Sequence, residues 1–231
     1  MKKNHIFLTI LIAGSLVASC KKDTGISTNI ASLNIINATV DAPSLALNFS
    51  SVVIPYYRNK TAISMGSAVE FGLSSGVSAL NLVSSADTSN TLFHGTLDLK
   101  LGGIYSLYVI GQTPHMDTLF MKDNIPAHED STAGARFINL SPDSQSLSIN
   151  QVGNTTPDFT SLAYKKITGF KKYSAVTNIT NNGGYTYEIR DESGNILTIF
   201  NWNPAVFKNN TLVITGLVGN STVSVFSVNN Y

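Results

Sequence analysis

What most constrains this chain is that it repeats once. Ser32-Leu33-Asn34-Ile35-Ile36-Asn37-Ala38-Thr39-Val40-Asp41 aligns with Gly134-Ala135-Arg136-Phe137-Ile138-Asn139-Leu140-Ser141-Pro142-Asp143 at an offset of 102. Asn37 meets Asn139, Thr39 meets Ser141 and Asp41 meets Asp143, and the match continues through Leu45 to Asn48 against Leu147 to Asn150. Further on, Tyr57 meets Tyr164, and Ser67-Ala68-Val69 meets Ser174-Ala175-Val176, at an offset of 107. Ser106 to Gly111 then meets Thr211 to Gly216 at an offset of 105. An offset that drifts in this way is what loop insertions produce. Two copies are too few for a solenoid, whereas ~100 residues suffice for an independent core. The expected organisation is a first domain over 29–126, a polar linker over 127–132 containing His128, Glu129 and Asp130, and a second domain over 133–231.

Periodicity fixes the kind of element. Tyr185, Tyr187 and Ile189 alternate with Thr186, Glu188 and Arg190, and Leu45, Leu47 and Phe49 alternate with Ser44, Ala46 and Asn48. Tyr105, Leu107 and Val109 lie on one face of another such run. These are period-two strands with one buried face, rich in the residues that suit a pleated surface. Gly102-Gly103, Asn181-Asn182, Gly183-Gly184 and Ser193-Gly194 punctuate them, and Asp191 to Asn195 reads as a hairpin loop. No helix-period stretch of 12 residues is found beyond the N-terminal segment. The predicted fold class is all-β: two tandem immunoglobulin-like or transthyretin-like antiparallel β-sandwich domains.

The N-terminus reads as an address followed by an anchor. Lys2 and Lys3 precede a 12-residue apolar run, Ile6 to Val17, too short to span a ~30 Å bilayer core and suited to the central region of a secretory signal. Val17-Ala18-Ser19-Cys20 follows. This tetrapeptide resembles the bacterial lipobox, which implies a signal peptide over 1–19, cleavage before Cys20, acylation of Cys20 and a tether over 20–28. Cys20 is the chain's single Cys, so a disulfide framework and a multi-Cys zinc site are both excluded. Lys21-Lys22-Asp23 partly resembles the signal by which some Gram-negative bacteria export lipoproteins to the cell surface. The expected location is the outer membrane of a Gram-negative bacterium, held through the lipid on Cys20, with display on the cell surface as an extension of that expectation.

Asn139-Leu140-Ser141-Pro142-Asp143 after a strand, then Leu162-Ala163-Tyr164, Gly169-Phe170, Gly184-Tyr185-Thr186 and Leu212 to Gly216, resemble in order the pieces of domain-of-unknown-function family 4397. The first copy keeps Asp41-Ala42-Pro43 but has Val40 where the family has Pro, and the second keeps Pro142 but has Ser144-Gln145 for Ala-Pro. The resemblance implies a secreted, often lipid-anchored β-sandwich and carries no catalytic residues.

Candidate chemistry is sparse. Asp41 and Asp143 each sit in a Thr/Ser-x-Asp turn, where Asp usually bonds its own backbone two residues on. His94, His115 and His128 each lack a counterpart His in the other copy, and no His-x-x-x-His or Gly-x-Ser-x-Gly motif occurs. Lys165, Lys166, Lys171 and Lys172 bracket Ile167-Thr168-Gly169-Phe170, as a basic patch for an acidic polymer or as an edge strand that Lys protects from aggregation. Trp202, the only Trp, stands between Asn201 and Asn203-Pro204. That context suggests a loop in which the ring stacks on a sugar, or a plug at one end of the sandwich. Tyr56-Tyr57 after Pro55 invites the same sugar-stacking reading. Asp117-Thr118-Leu119 and Asp130-Ser131-Thr132 resemble an O-glycosylation tripeptide of Gram-negative envelope proteins.

Charge bounds the partners. The net charge is +1 with a pI near 7.8, which excludes a strongly basic nucleic-acid binder. Residues 24–130 carry 4 basic against 8 acidic side chains and residues 131–231 carry 7 against 5, so the halves could dock through opposite charge. The expectation is a non-enzymatic, lipid-anchored envelope protein without cofactor or metal, acting as a binding or structural module on a glycan or an envelope protein. The alternatives are an accessory glycan-binding lipoprotein using Trp202, Tyr56 and Tyr57, and a cryptic hydrolase built on His94, His115 or His128.

Overall fold

The computed structural model of the chain describes residues 29–42, 44–51, 62–113, 115–176 and 184–230. Among these residues the fold is all-β, with no helix. The first half supplies β1 (Ile30–Thr39), β2 (Ser44–Asn48), β3 (Ala62–Ser64), β4 (Ser67–Ser74), β5 (Gly76–Ser84), β6 (Asp87–Leu99), β7 (Ile104–Gln112) and β8 (His115–Lys122). The second supplies β9 (Thr132–Asn139), β10 (Leu147–Gln151), β11 (Phe159–Leu162), β12 (Lys171–Ser174), β13 (Tyr185–Arg190), β14 (Ile196–Trp202), β15 (Asn209–Thr215) and β16 (Ser224–Asn229).

The strand orders repeat. Sheets β4-β1-β7-β8 and β3-β2-β5-β6 in the first half are matched by β12-β9-β15-β16 and β11-β10-β13-β14 in the second. Strand n of the first half therefore corresponds to strand n+8 of the second. Registers agree as well: Asn37 pairs with Val109 and Asn139 with Ile214, reproducing the offsets of 102 and 105. One stretch of the sequence alignment is out of place. Ala68 lies opposite Ile36, and Ile36's counterpart Ile138 bridges Ile167, so Ala68 corresponds to Ile167 and not to Ala175. The Ser-Ala-Val match joined opposite ends of one edge strand, because a tripeptide of small residues carries too little information to fix register.

The sheets are not wholly antiparallel. β1 pairs with β7, and β9 with β15, in parallel. The first and seventh strands of each copy are joined through the opposite sheet, so they are free to run the same way, whereas hairpin neighbours such as β7 and β8 must run oppositely.

Three apolar clusters show how the sheets layer. Leu33, Ile35, Leu107 and Val109 face Leu45, Leu47, Leu80 and Leu82 in one core. Phe137, Leu212 and Ile214 face Ile149, Tyr187, Ile189 and Trp202 in another. The third cluster joins the halves: Ile36, Ala38, Tyr108 and Ile110 from β1 and β7 pack on Ile138, Leu140, Val213 and Val228. Central strands β1, β7, β9 and β15 are thus buried on both faces. Such strands read as unbroken apolar runs instead of alternation, as in Leu107-Tyr108-Val109-Ile110 and Leu212-Val213-Ile214.

The charge asymmetry between halves reappears at this junction. Arg136 pairs with Asp123, Lys165 with Asp117 and Lys172 with Asp130, in each case a base from the second half and an acid from the first or the connecting segment. The Asp123 and Arg136 side chains are only 1% and 7% exposed, so salt screens this pair far less than the other two. The connecting segment is held in place as well. Asn209 Nδ2 donates to the Pro126 carbonyl (2.8 Å), and the His128 ring sits between Asn209 Oδ1 (2.9 Å) and Thr132 Oγ1 (3.2 Å).

Candidate functional site

Repetition singles out four polar residues, Asn37, Asn139, Asp41 and Asp143. Asn37 lies two residues before the end of β1 and Asn139 ends β9, and both are fully buried. Asn37 Nδ2 donates to the carbonyls of Ala42 (3.1 Å) and Ile63 (3.0 Å), and its Oδ1 accepts from the N–H (3.2 Å) and hydroxyl (2.7 Å) of Thr39. Asn139 Nδ2 donates to the Leu162 carbonyl (3.0 Å) and Ser144 Oγ (2.9 Å), and its Oδ1 accepts from the Ser141 N–H (3.1 Å). Each amide thus ties the turn after its strand to a third strand, β3 or β11.

Asp41 and Asp143 both act across space, and Asp143 also accepts from Ser141 Oγ (3.4 Å) within its own turn. The Asp41 carboxylate accepts the Thr113 N–H at 3.0 Å on both oxygens. Asp143 accepts the N–H groups of Val218 (2.8 Å) and Gly219 (2.9 Å). Thr113 and Val218 are equivalent positions, so each carboxylate caps the connection that leaves the seventh strand of its copy. For Asp143, partial burial would raise the pKa, but the N–H groups of Gly219 and Val218, with its own N–H and the Ser141 hydroxyl, together outweigh it and hold the carboxyl below its ordinary value. The same connection needs glycine. Gly111 and Gly216 both have φ of +93°, and a Cβ there would lie 2.5 Å from the His115 carbonyl oxygen or 2.2 Å from that of Thr222.

His94 and His128 are tied into the scaffold by side-chain contacts. His94 Nδ1 meets Asn81 Oδ1 across the β5–β6 pair, and His128 is the connector residue described above. His115 opens β8 at the surface, with Asp117 two residues on engaged by Lys165. The lysines lie along an edge: Lys171 and Lys172 begin β12, the outer strand of its sheet, and pair with Asp158 and Asp130. Ile167 is packed in the junction between halves, and Phe170 lies under the Arg136 guanidinium, 4.5 Å from Cζ to ring centre. Of the two glycosylation-like tripeptides, Thr118 lies within β8 and Ser131 is exposed just before β9.

Trp202 is not in a loop. It is the last residue of β14 and is 3% exposed. Tyr185 pairs with Trp202 as Ser78 pairs with Leu97, so Trp202 occupies the place of Leu97, a core residue also 3% exposed. The indole packs edge-on against Tyr173 at 5.3 Å and donates from Nε1 to Asn210 Oδ1 at 3.2 Å. Its ring is therefore not a platform on which a sugar could lie flat, and the plug role is the one seen.

Beside Trp202 opens a crevice of about 550 Å³, within the size range of small-ligand sites. Phe200, Asn201, Ser227 and Asn229 also line it, and Glu70 joins them from the first half. The sequence alone marked only Trp202 here; the asparagines are scattered across β14, the loop after it, β15 and β16, and no spacing rule gathers them.

Cys20, Tyr56 and Tyr57 lie outside the described residues. No known family profile matches the chain, and no curated protein matches it.

Proposed function

We propose that this chain is a lipid-anchored, non-catalytic cell-envelope protein. Its body is two tandem immunoglobulin-like or transthyretin-like β-sandwich domains over 29–126 and 133–231, in keeping with the lipid-anchored β-sandwich that the resemblance to domain-of-unknown-function family 4397 implies, and it works as a binding or structural module. Anchoring rests on Val17-Ala18-Ser19-Cys20 directly after the apolar run, with the chain's single Cys at that position. Acyl chains on Cys20 contribute ~0.8 kcal/mol per buried CH₂, and two or three chains hold a protein on a membrane stably.

The observation that carries the non-catalytic reading is how the repeated polar side chains are used. Asn37, Asn139, Asp41 and Asp143 direct their donors and acceptors at backbone groups and neighbouring hydroxyls within the fold. Repetition in this chain therefore reports folding requirements, and whatever the protein recognises is carried by features that differ between the copies.

Intact-mass measurement of membrane-extracted protein tests the anchor. The expected result is a chain beginning at Cys20 and heavier by its acyl groups, with Cys20→Ser moving the protein into the soluble fraction. An unacylated mature chain would overturn the reading. Protease shaving of intact cells then tests display: degradation places the body outside the cell, and full protection places it on the periplasmic face.

A further inference from the structure

Strand register shows what the crevice beside Trp202 replaces in the first copy. In the first copy Tyr105 pairs with Lys122 and Leu107 with Phe120; in the second Asn210 pairs with Asn229 and Leu212 with Ser227. Asn210 therefore stands where the first copy has Tyr105, and Ser227 where it has Phe120. In the first copy those two rings stack, 5.3 Å between centres and 12° between planes, with Tyr105 buried and Phe120 36% exposed beside it. Replacing them by an amide and a hydroxyl in the second copy removes both rings and opens the space that Trp202 only partly refills.

The groups left around that space have a definite chemistry. Trp202 donates to Asn210, and Asn210 Nδ2 donates to Asn229 Oδ1 at 2.8 Å, so Asn229 has its Nδ2 to offer. Thr186 Oγ1 donates to Asn201 Oδ1 at 2.7 Å, so Asn201 likewise offers its Nδ2. Glu70 adds a carboxylate and Lys208 an ammonium, so the site has no net charge. Half-buried Phe200 supplies apolar ring surface, while Trp202, buried behind it, backs the lining without offering a face for stacking. Amide donors, an accepting carboxylate and aromatic surface around a neutral cleft match a ligand with hydroxyl groups on one side and C–H faces on the other.

We propose that this crevice binds a neutral saccharide, with the side chains of Asn201, Asn229 and Glu70 hydrogen-bonding its hydroxyls. The assignment deepens the binding-module reading above and rests on it. Trp202 forms part of the lining, so ligand entry replaces water beside the chain's only indole, and tryptophan emission reports occupancy directly.

The test titrates the full chain, extracted in detergent, with glucose, galactose, mannose, N-acetylglucosamine, cellobiose and maltose while following Trp202 emission, with calorimetry as the second readout. The expected result is a saturable shift with at least one of these sugars. Ser227→Phe restores the ring the first copy carries at this position and should abolish the shift. Asn201→Ala and Asn229→Ala, both at exposed positions, should each weaken binding roughly five- to tenfold, the effect of one lost hydrogen bond. They keep the test decisive if Ser227→Phe fails to fold. No saturable shift with any of the six sugars overturns the proposal, as does affinity that both alanine variants retain in full. Neither result bears on the lipid anchor, which stands or falls on the mass of Cys20.

Discussion

Cutting the buried ion pair between the halves should be the most damaging single change outside the cores. Arg136 Nη2 contacts Asp123 Oδ1, and its Nε donates to Thr211 Oγ1 at 2.8 Å. Asp123 also accepts from Ser106 Oγ at 2.7 Å, and Thr211 Oγ1 in turn donates to Asn230 Oδ1. The Ser106–Asp123 and Thr211–Asn230 contacts are equivalent positions of the two copies, so Arg136 bridges a bond from each. Arg136→Met keeps most of the aliphatic bulk against Phe170 but leaves Asp123 charged, 1% exposed and without its cation. Removing one partner of such a pair costs ~3–5 kcal/mol. For a chain of this size ~1 kcal/mol shifts the melting temperature by ~2–4 °C, so the variant should melt roughly 6–20 °C lower. Asp123→Asn combined with Arg136→Met removes both charges and should recover most of the loss. Chemical denaturation of the two single variants and the double variant gives the coupling energy. A loss below ~1 kcal/mol for Arg136→Met, or strict additivity in the double variant, would refute the claim that the pair is desolvated and interdependent.

Three further outcomes follow from the same geometry. Gly216→Ala forces a Cβ to within 2.2 Å of the Thr222 carbonyl oxygen at a φ of +93°, and denaturation should show a loss exceeding ~1–3 kcal/mol. Asn139→Ala leaves the buried Leu162 carbonyl without the Nδ2 bond described here, costing ~1–3 kcal/mol by the same measurement. The Asp143 carboxyl is held below its ordinary value in the folded chain. Its contribution is therefore complete above the ordinary carboxylate range of ~3.9 and is lost as pH falls through and below it. Asp143→Asn should accordingly flatten stability measured against pH in that acid window while leaving the slope near neutrality unchanged.

The sequence by itself determined the all-β character, the two-copy plan and most of its register. Apolar spacing sets which face of a strand is buried, and Asn37/Asn139 and Asp41/Asp143 recur because a fixed turn geometry needs a fixed hydrogen-bonding group. The hairpin over 191–195 was legible for the same reason: Asp191 accepts the Asn195 N–H at 2.8 Å, and Gly194 takes a φ of +85°. Tertiary structure alone decided the rest. Pairing of β1 with β7, and of β9 with β15, in parallel is a long-range choice that no local pattern encodes. Packing of Ile36, Tyr108, Ile138 and Val213 between the halves needed both halves in place. The site divided in the same way. A Trp flanked by asparagines reads as a surface residue, yet register places Trp202 where its counterpart is Leu97, in the core. The crevice beside it arises from what is missing at two distant positions, Asn210 for Tyr105 and Ser227 for Phe120. An empty volume has no residue of its own, so it becomes visible only once the strands around it are assembled.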